Sequence, residues 1–163
     1  MAIRLVPITK QNWEEAARLE VLPEQIDFIA PNVWSIAETQ FYPWTTRCAI
    51  LDDQSMVGFL VYGRDPDDRQ WWLHRFMIDL RFQRRGFGRA ALLQLIAWLR
   101  AEPGCTGVTV GYQPENIAAE LLYLAAGFRK GPPAPWGEST ARLDFAPTAG
   151  MQVSGAGIAP TSS

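Results

Sequence analysis

The sequence predicts an α/β protein of the α+β kind, in which a mixed, mostly antiparallel sheet of about six to seven strands is flanked by helices. Short β-rich runs follow one another directly in the first half of the chain, and this order favours antiparallel pairing. In the second half, two amphipathic helical patterns alternate with strand-like runs. We expect one domain over residues 1–146 and a flexible tail over residues 147–163, which are rich in Ala, Gly, Pro, Ser and Thr.

The first half of the chain predicts strands interrupted by short helical segments. Helices are predicted at about 10–20 with Thr9 as a cap, from Pro23 onward, and at about 33–40. Strands are predicted at 3–6, 45–51, 56–62 and 71–79. The polar turn at 52–55 joins the second and third of these strands into a hairpin, and the fourth is the longest strand candidate.

The two helices of the second half carry apolar stripes. The first follows a glycine-containing loop and has apolar residues at positions 92, 95, 96 and 99. The second begins near Asn116, and its stripe is formed by Ala118, Leu121, Leu122 and Ala125. Tyr123 lies about 140° from this stripe at 100° per residue, which predicts that it does not point into the same core. Further strands are predicted at 107–112, 128–130 and 139–145.

The composition argues against several classes of function. The net charge is −2, so no strong overall attraction to nucleic acid is expected. The two cysteines, Cys48 and Cys105, and the single histidine, His74, do not form a metal-ligand spacing, so no metal is expected. The N-terminal residues do not resemble a signal peptide, and no apolar run is long enough to span a bilayer. We therefore expect a cytoplasmic protein with neither a nucleic-acid nor a membrane partner.

The stretch 76–91 has the pattern of an anion-binding loop. An apolar strand leads into a loop, Gln83 to Gly88, that contains two glycines and two arginines, and an amphipathic helix follows at once. This arrangement turns backbone N–H groups toward a phosphate, and glycines let the backbone approach closely. A solvated helix start after a plain turn is the simpler alternative. A dinucleotide pattern over 86–91 lacks the acidic residue expected about 20 positions later, and no Walker motif is present.

Two ordered motifs carry a resemblance to a known family. Gln83-Arg84-Arg85-Gly86-Phe87-Gly88 matches the Q/R-x-x-G-x-G/A motif of the GNAT acetyltransferase superfamily. Downstream, Glu115-Asn116 and then Leu122-Tyr123 and Gly127-Phe128 resemble the E-N-x-x-A and L-Y-x-x-x-G-F segments of the same family. Residues 21–38 and 75–79 resemble its bacterial spermine/spermidine or diamine N-acetyltransferase branch.

The resemblance implies acetyl-CoA as the acetyl donor and a splay between the two central strands. In the family, the loop binds the coenzyme, and the strand before it supplies backbone N–H groups to the thioester carbonyl. The residues that match cofactor-binding positions are Phe76, Met77, Ile78, Gln83, Arg84, Arg85, Gly86, Phe87, Gly88, Arg89 and Asn116. Asn116 can equally serve as an ordinary helix N-cap.

Tyr123 is the candidate catalytic acid. It matches the family tyrosine near the coenzyme sulfur, and a phenol with a pKa of about 10 is protonated at neutral pH. The competing interpretation is an ordinary half-buried tyrosine on a helix flank. The resemblance implies direct attack by the amine, and neither cysteine has a nearby histidine motif that would support a covalent acyl-enzyme. The general base is not visible in the sequence.

The segment 14–38 bears on the acceptor. It holds six acidic residues and one basic residue, and in many members of the family it borders the acceptor cleft, so a cationic polyamine would be favoured there. The candidate substrate-binding residues are Glu24, Asp27, Glu38 and His74. Four aromatic residues could line the same cleft, namely Trp34, Phe41, Tyr42 and Trp44. Solvated acidic helix faces, aromatic residues in the core and a structural histidine are the competing interpretations.

The sequence therefore predicts an acetyl-CoA-dependent N-acetyltransferase that acts on a primary amine, with spermidine or spermine as the expected acceptor. Another amine, such as an amino acid, an antibiotic or a protein N-terminus, is the first alternative. A non-catalytic sensor that binds acyl-CoA is the second. The sequence leaves open whether the protein forms a homodimer.

Overall fold

The computed structural model describes residues 2–147, and these residues form a seven-stranded mixed sheet. The strands are β1 (Ile3–Pro7), β2 (Thr45–Asp52), β3 (Ser55–Arg64), β4 (Trp71–Ile78), β5 (Gly107–Tyr112), β6 (Arg129–Lys130) and β7 (Ser139–Asp144). Their order in the sheet is β1-β2-β3-β4-β5-β7-β6, and only β4 and β5 run parallel. The predicted mixed, mostly antiparallel sheet is confirmed. Apart from Pro147, the predicted tail lies outside the described residues.

The helices of the described residues are α1 (Trp13–Arg18), α2 (Asn32–Glu38), α3 (Phe87–Ala101) and α4 (Ile117–Ala125), with 3₁₀ helices at Pro23–Phe28 and Thr39–Phe41. The helix predicted at 10–20 is shorter because the side chain of Asn12 closes a turn before it. Its Oδ1 accepts from the Thr9 N–H at 2.7 Å, and its Nδ2 donates to the Pro7 carbonyl at 3.0 Å. None of the helices in the described part combines the length and hydropathy needed to cross a membrane.

Apolar side chains cover both faces of the sheet. On one face, α3 packs through its predicted stripe, and Leu92, Leu95 and Leu99 are each at most 2% exposed. On the other face, α1 and α2 cover a smaller cluster that includes Ala16, Phe59 and Met77. Burying large aliphatic side chains stabilises the fold by about 1.5–3 kcal/mol each, so α3 is the main anchor of the sheet.

The predicted face of α4 is wrong. Leu121 is 62% exposed, whereas Tyr123 is only 4% exposed and packs in the main core. Nearly every position of this short helix is apolar, so the hydrophobic periodicity does not single out the buried face. Tyr123 turns inward onto Tyr112 and Phe128, with ring centroids 5.6 Å from each.

The two central strands separate soon after they meet. Only Trp72 and Leu73 of β4 pair with β5, opposite Thr109 and Val110. The rest of β4 remains paired with β3 on its other side. Among the described strands, none pairs with the β5-facing edge of β4 beyond Leu73, and this is the splay that the family resemblance implied.

Candidate active site

A cleft of about 860 Å³ opens where β4 and β5 separate. Its walls are the 73–78 segment, the loop that opens α3, the first 3₁₀ helix (Pro23–Phe28) with the residues that follow it, and one side of α4. A cleft of this size is in the range of small-molecule sites in proteins. The fold therefore places the glycine loop and Tyr123 around one cavity.

The glycine loop has the backbone of an anion site. Arg84 and Gly86 have positive φ values of 64° and 85°, which turn the chain sharply into α3. The first intrahelical bond of α3 runs from the Ala90 N–H to the Gly86 carbonyl at 3.0 Å. The N–H groups of Phe87, Gly88 and Arg89 therefore have no intrahelical acceptor, and the helix dipole favours an anion beside them.

Gly88 keeps this part of the cleft open. A Cβ atom there would lie 3.6 Å from Ile78, 3.8 Å from Leu122 and 4.0 Å from Phe76. These are ordinary contact distances, so the fold itself does not require glycine at this position. The absence of a side chain instead leaves room in the cleft between the loop, β4 and α4.

Asp79 holds the loop to the rest of the protein. Its carboxylate is 2% exposed and accepts from the Glu20 N–H at 3.1 Å, the Arg81 N–H at 3.0 Å and the Arg81 Nε at 2.8 Å. Burial alone would raise the pKa of Asp79, but the hydrogen bonds from Arg81 and Glu20 outweigh it and hold the pKa below its usual value. Asp79 is therefore ionised at neutral pH and joins the end of α1 to the loop.

Gln83 makes a second connection across the cleft. Its Nε2 donates to the Ile78 carbonyl at 2.9 Å and to Oε1 of Gln25 at 2.8 Å. Gln25 belongs to the first 3₁₀ helix, and its side chain also accepts from the Leu22 N–H at 3.1 Å. The amide pair thus fixes the acidic segment against the glycine loop.

Most of the predicted cofactor-binding residues meet at this cleft. It is lined by Phe76, Met77, Ile78, Gln83, Arg84, Gly86, Phe87, Gly88, Arg89 and Asn116. Arg85 is not among the lining residues, and its guanidinium lies 5.8 Å from the ring of Phe82. The Phe87 side chain is buried in the core, so only its backbone is available to a ligand.

A bulge in β4 shapes the part of the cleft away from the loop. Val61 of β3 pairs with Arg75 and Tyr62 pairs with Leu73, so His74 is the extra residue. The register shift bends the strand at the point where it leaves β5. His74 lines the cleft from this bulge.

Tyr123 lines the cleft from the core side. Burial raises the pKa of its phenol well above the ordinary value of 10.0, and the nearby Tyr112 and Glu138 raise it further. Tyr123 is therefore a neutral hydroxyl at every physiological pH. Its neighbour Tyr112 also lines the cleft, but the Tyr112 hydroxyl donates to Oε2 of Glu120 at 3.1 Å.

Asn116 caps α4 and also lines the cleft. Its Oδ1 accepts from the Ala119 N–H at 3.2 Å, which is the ordinary N-cap interaction. The apolar stripe that the sequence assigned to the core contributes Ala118, Leu121 and Leu122 to the cleft wall. The exposed Leu121 thus belongs to a cavity rather than to the protein interior.

The predicted substrate-binding residues divide into two pairs. Asp27 and His74 line the cleft, whereas Glu24 and Glu38 do not. Oε2 of Glu38 lies 3.4 Å from an Arg75 guanidinium nitrogen, so its charge is partly compensated. Burial, together with the adjacent Arg75, lowers the pKa of His74 to about 4. His74 is therefore neutral near pH 7 and does not titrate there.

The four predicted cleft aromatics lie elsewhere. Trp34 and Phe41 are exposed at 65% and 81%, on α2 and on the second 3₁₀ helix (Thr39–Phe41). Tyr42 and Trp44 line a separate small pocket of about 150 Å³ that also borders His74. These four residues do not line the main cleft, because the 39–44 connection crosses beside the β4 bulge rather than over the splay. Tyr42 and Trp44 instead lie next to its His74 side.

Glu138 is the cleft residue that sequence reasoning missed. It precedes β7, lines the cleft, and accepts from Nε1 of Trp136 at 2.7 Å. It is the only carboxylate besides Asp27 among the lining residues of the described chain. The sequence feature that could have identified Glu138 is a lone acidic residue two positions after a tryptophan, in a loop rich in Pro and Gly. Loops often carry binding residues.

Neither cysteine lines the cleft. Cys48 is buried in the core, and burial raises the pKa of its thiol to about 11. Burial also raises the pKa of Cys105. No group of three or more metal-ligating side chains is arranged to hold a metal within residues 2–147.

Comparison with known proteins agrees with this geometry. The profile of the acetyltransferase (GNAT) family matches residues 11–128. Among sequence relatives, a spermine/spermidine N(1)-acetyltransferase of Bacillus subtilis is 27% identical over 135 residues, which cover 79% of this chain and 89% of that protein.

Solved structures of acetyltransferases share the fold. An acetyltransferase of Thermus thermophilus has a TM-score of 0.73 at 19% identity, over 89% of this chain and 98% of that chain. A spermidine N-acetyltransferase of Vibrio cholerae, solved with CoA and spermine, has a TM-score of 0.69 at 13% identity, over 88% and 94% of the two chains. Since the family profile covers well over half of the chain and the sheet has the same architecture, the protein belongs to the GNAT acetyltransferase family and is an acyltransferase.

Proposed function

We propose that the protein transfers the acetyl group of acetyl-CoA to a primary amine of a polyamine such as spermidine or spermine, by direct attack of the amine. The observation that carries this proposal is the single cleft that joins the glycine loop, the unpaired edge of β4 and the neutral phenol of Tyr123. The polyamine part is supported by the name of the Bacillus subtilis relative at 27% identity.

The donor half of the cleft suits acetyl-CoA. Free N–H groups at the start of α3, together with Arg84 and Arg89, offer a site for the coenzyme phosphates. The β5-facing edge of β4 at Phe76, Met77 and Ile78, which does not pair with β5, borders the path from this loop to the bulge. A backbone N–H on this edge can stabilise the negative charge that develops on the thioester oxygen.

Tyr123 serves as hydrogen-bond donor to the leaving sulfur. Complete proton transfer to a thiolate is uphill, because a thiol has a pKa near 8.5 and the phenol pKa is higher. The hydroxyl therefore contributes most while negative charge develops on sulfur, and a thiolate can leave before it is fully protonated. The raised pKa of Tyr123 keeps the donor proton in place throughout.

Direct attack needs a neutral amine, whereas an alkyl amine with a pKa of about 10.4 is mostly protonated at neutral pH. His74, with a pKa of about 4, is too weak a base to take this proton efficiently. Asp27 lies at the cleft and carries the negative charge that favours a cationic acceptor, with Glu24 and Glu38 more distant. The cysteines hold their protons, which favours direct attack over an acyl-enzyme route.

The test is release of coenzyme A thiol from acetyl-CoA with a panel of amines. Spermidine and spermine are expected to support turnover, and amino acids, aminoglycosides and a peptide N-terminus are expected to give much lower kcat/KM. A higher kcat/KM for one of those amines would replace polyamine as the acceptor. Tight acetyl-CoA binding in calorimetry without turnover on any amine would favour a sensor.

The role of Tyr123 is tested by Tyr123→Phe with Tyr112→Phe as matched control. Tyr123→Phe should lower kcat roughly 10- to 100-fold, the size of a lost hydrogen bond to a charged group, with an unchanged KM for acetyl-CoA. Tyr112→Phe removes a hydroxyl already bonded to Glu120 and should change kcat less than threefold. Equal kcat for Tyr123→Phe and the wild type would remove Tyr123 from the mechanism.

A further inference from the structure

The Glu138 carboxylate lies directly over the bare backbone of β5. A Cβ atom at Gly111 would come within 2.6 Å of Oε2 of Glu138, so any larger residue at 111 would displace this side chain. The parallel pairing of Leu73 with Val110 puts Gly111 level with His74, across the splay. At about 3.3 Å per residue, this level is roughly 13 Å along β4 from Ile78, the last residue of the strand before the glycine loop. Glu138 therefore faces the end of the cleft where an acceptor would enter.

Glu138 has no cationic partner among residues 2–147. No Lys, Arg or His side chain of the described residues lies within 4.0 Å of its carboxylate, unlike Glu38, which pairs with Arg75. Its one side-chain hydrogen bond comes from Nε1 of Trp136. A carboxylate accepts about four hydrogen bonds, so most of its capacity is unused. A half-buried carboxylate without a counter-ion attracts a cationic ligand.

Trp136 begins a continuous row of aromatic rings. The aromatic row consists of Trp136, Trp72, His74, Trp44 and Tyr42. Successive centroids are 6.2, 6.1, 5.2 and 6.0 Å apart. The row crosses from the β6–β7 connection over the β4 bulge to the start of β2. Trp136 is 65% exposed and Tyr42 46% exposed, so solvent reaches both ends.

Carboxylates flank this row at several points. Glu138 bonds to Trp136, and Oδ2 of Asp68 accepts from Nε1 of Trp72 at 2.9 Å. Glu38, whose charge Arg75 partly compensates, lines the small pocket beside Tyr42. Aromatic faces next to carboxylates bind alkylammonium groups by cation–π attraction and pack against the methylenes between them. The aromatic faces and the carboxylates together suit a flexible ligand that carries several positive charges.

We propose that Glu138 and the aromatic row bind the part of the polyamine that does not react. Glu138 binds the ammonium group next along the chain from the reacting nitrogen, and the row binds the methylenes and the further ammonium groups. This inference rests on the proposed function and extends it, because it makes a second positive charge on the acceptor a requirement for tight binding.

The experiment compares spermidine with butylamine, which lacks the second nitrogen. Glu138→Gln should raise the KM for spermidine roughly 10- to 100-fold, the loss of a charge-assisted hydrogen bond, and change the KM for butylamine less than twofold. Trp136→Leu should raise the KM for spermidine roughly 2- to 30-fold. Trp136→Phe keeps the ring without the N–H and should fall between Trp136→Leu and the wild type. Trp98→Leu, at an exposed tryptophan on α3 away from the cleft, should match the wild type.

Each outcome separates this inference from the proposed function. Spermidine turnover with an unchanged KM in Glu138→Gln and Trp136→Leu would overturn the inference and leave the proposed function intact. If the wild type turned over no polyamine, calorimetric titration with spermine would decide. Spermine binding that is lost in Glu138→Gln would support a polyamine site at Glu138 and the aromatic row without the proposed activity. No spermine binding to the wild type would overturn the inference.

Discussion

Replacing Asp79 with asparagine tests how the glycine loop is held. The two side chains have nearly the same shape, but asparagine has only one acceptor oxygen. In the protein, Oδ1 takes the Arg81 N–H and Oδ2 takes the Glu20 N–H. In Asp79→Asn, one of these two backbone donors must face the amide NH₂ group and lose its bond. The guanidinium of Arg81 is 64% exposed, so solvent screens its ion pair with Asp79 and the pair adds little.

The expected cost follows from burial. The Asp79 side chain is 3% exposed, so a donor that loses it as acceptor finds little water nearby. Leaving a buried donor unsatisfied costs about 1–3 kcal/mol, which corresponds to a fall in Tm of roughly 2–12 °C for a chain of this length. Asp144→Asn is the matched control. Its side chain is 77% exposed and pairs with Arg142 at 2.7 Å, so its loss should cost less than about 1 kcal/mol.

Chemical and thermal unfolding at pH 7, followed by circular dichroism, measures both variants. The pH dependence adds a second check, since the pKa of Asp79 is lower in the folded protein than the value of about 3.9 in the unfolded chain. The contribution of the carboxylate is therefore complete above pH 5 and is lost as the pH falls through the folded-state pKa. An Asp79→Asn variant that is as stable as Asp144→Asn at pH 7 would refute the expected loss of a buried hydrogen bond.

Three further predictions test the loop, the cysteines and the bulge. Gly86→Ala should lower the free energy of unfolding by about 1 kcal/mol, because φ at this position is 85°, and should weaken acetyl-CoA binding in calorimetry. Gly104→Ala is the control, since its φ is 75° and no atom lies within 4 Å of the added Cβ. It should lower the stability as much but leave acetyl-CoA binding unchanged. The Cys48→Ala/Cys105→Ala double variant should keep the wild-type kcat, and loss of activity in folded protein would argue for an acyl-enzyme. Because the His74 pKa is about 4 when folded and 6.5 when unfolded, its contribution to stability is complete above pH 6.5 and decreases as the pH falls to 4. In His74→Phe, the free energy of unfolding should decrease less between pH 6.5 and pH 4 than it does in the wild type. An identical decrease would show that another group titrates in that interval.

Patterns among residues close together in the chain were sufficient to predict the proposed donor half of the site. The glycine loop, the start of α3 and the Leu92–Leu95–Leu99 stripe depend on residues close together in the chain. Positive φ at Gly86 and free N–H groups at a helix start are properties of that short stretch. The hairpin of β2 and β3 is likewise a local pairing, and the residues between 45 and 62 predict it directly.

For Tyr123, short-range sequence patterns were not sufficient to predict whether the side chain points into the core. The predicted apolar stripe of α4 does not pack in the core: Leu121 faces a cavity, whereas Tyr123 packs on the sheet. A helix that is apolar on most sides does not indicate which side meets the core. The neighbours decide that, and here they include Tyr112 and Phe128.

The proposed acceptor half of the site depended on which distant strands became neighbours. The sequence by itself determined the family, the glycine loop before α3 and the antiparallel hairpin of β2 and β3, because each is encoded in residues near one another. Only the tertiary structure placed Glu138 over Gly111 and lined up Trp136, Trp72 and His74. The reason is that β7 inserts between β5 and β6, and this pairing brings a late loop to the β4 bulge. No pattern of residue spacing in the sequence predicts that contact.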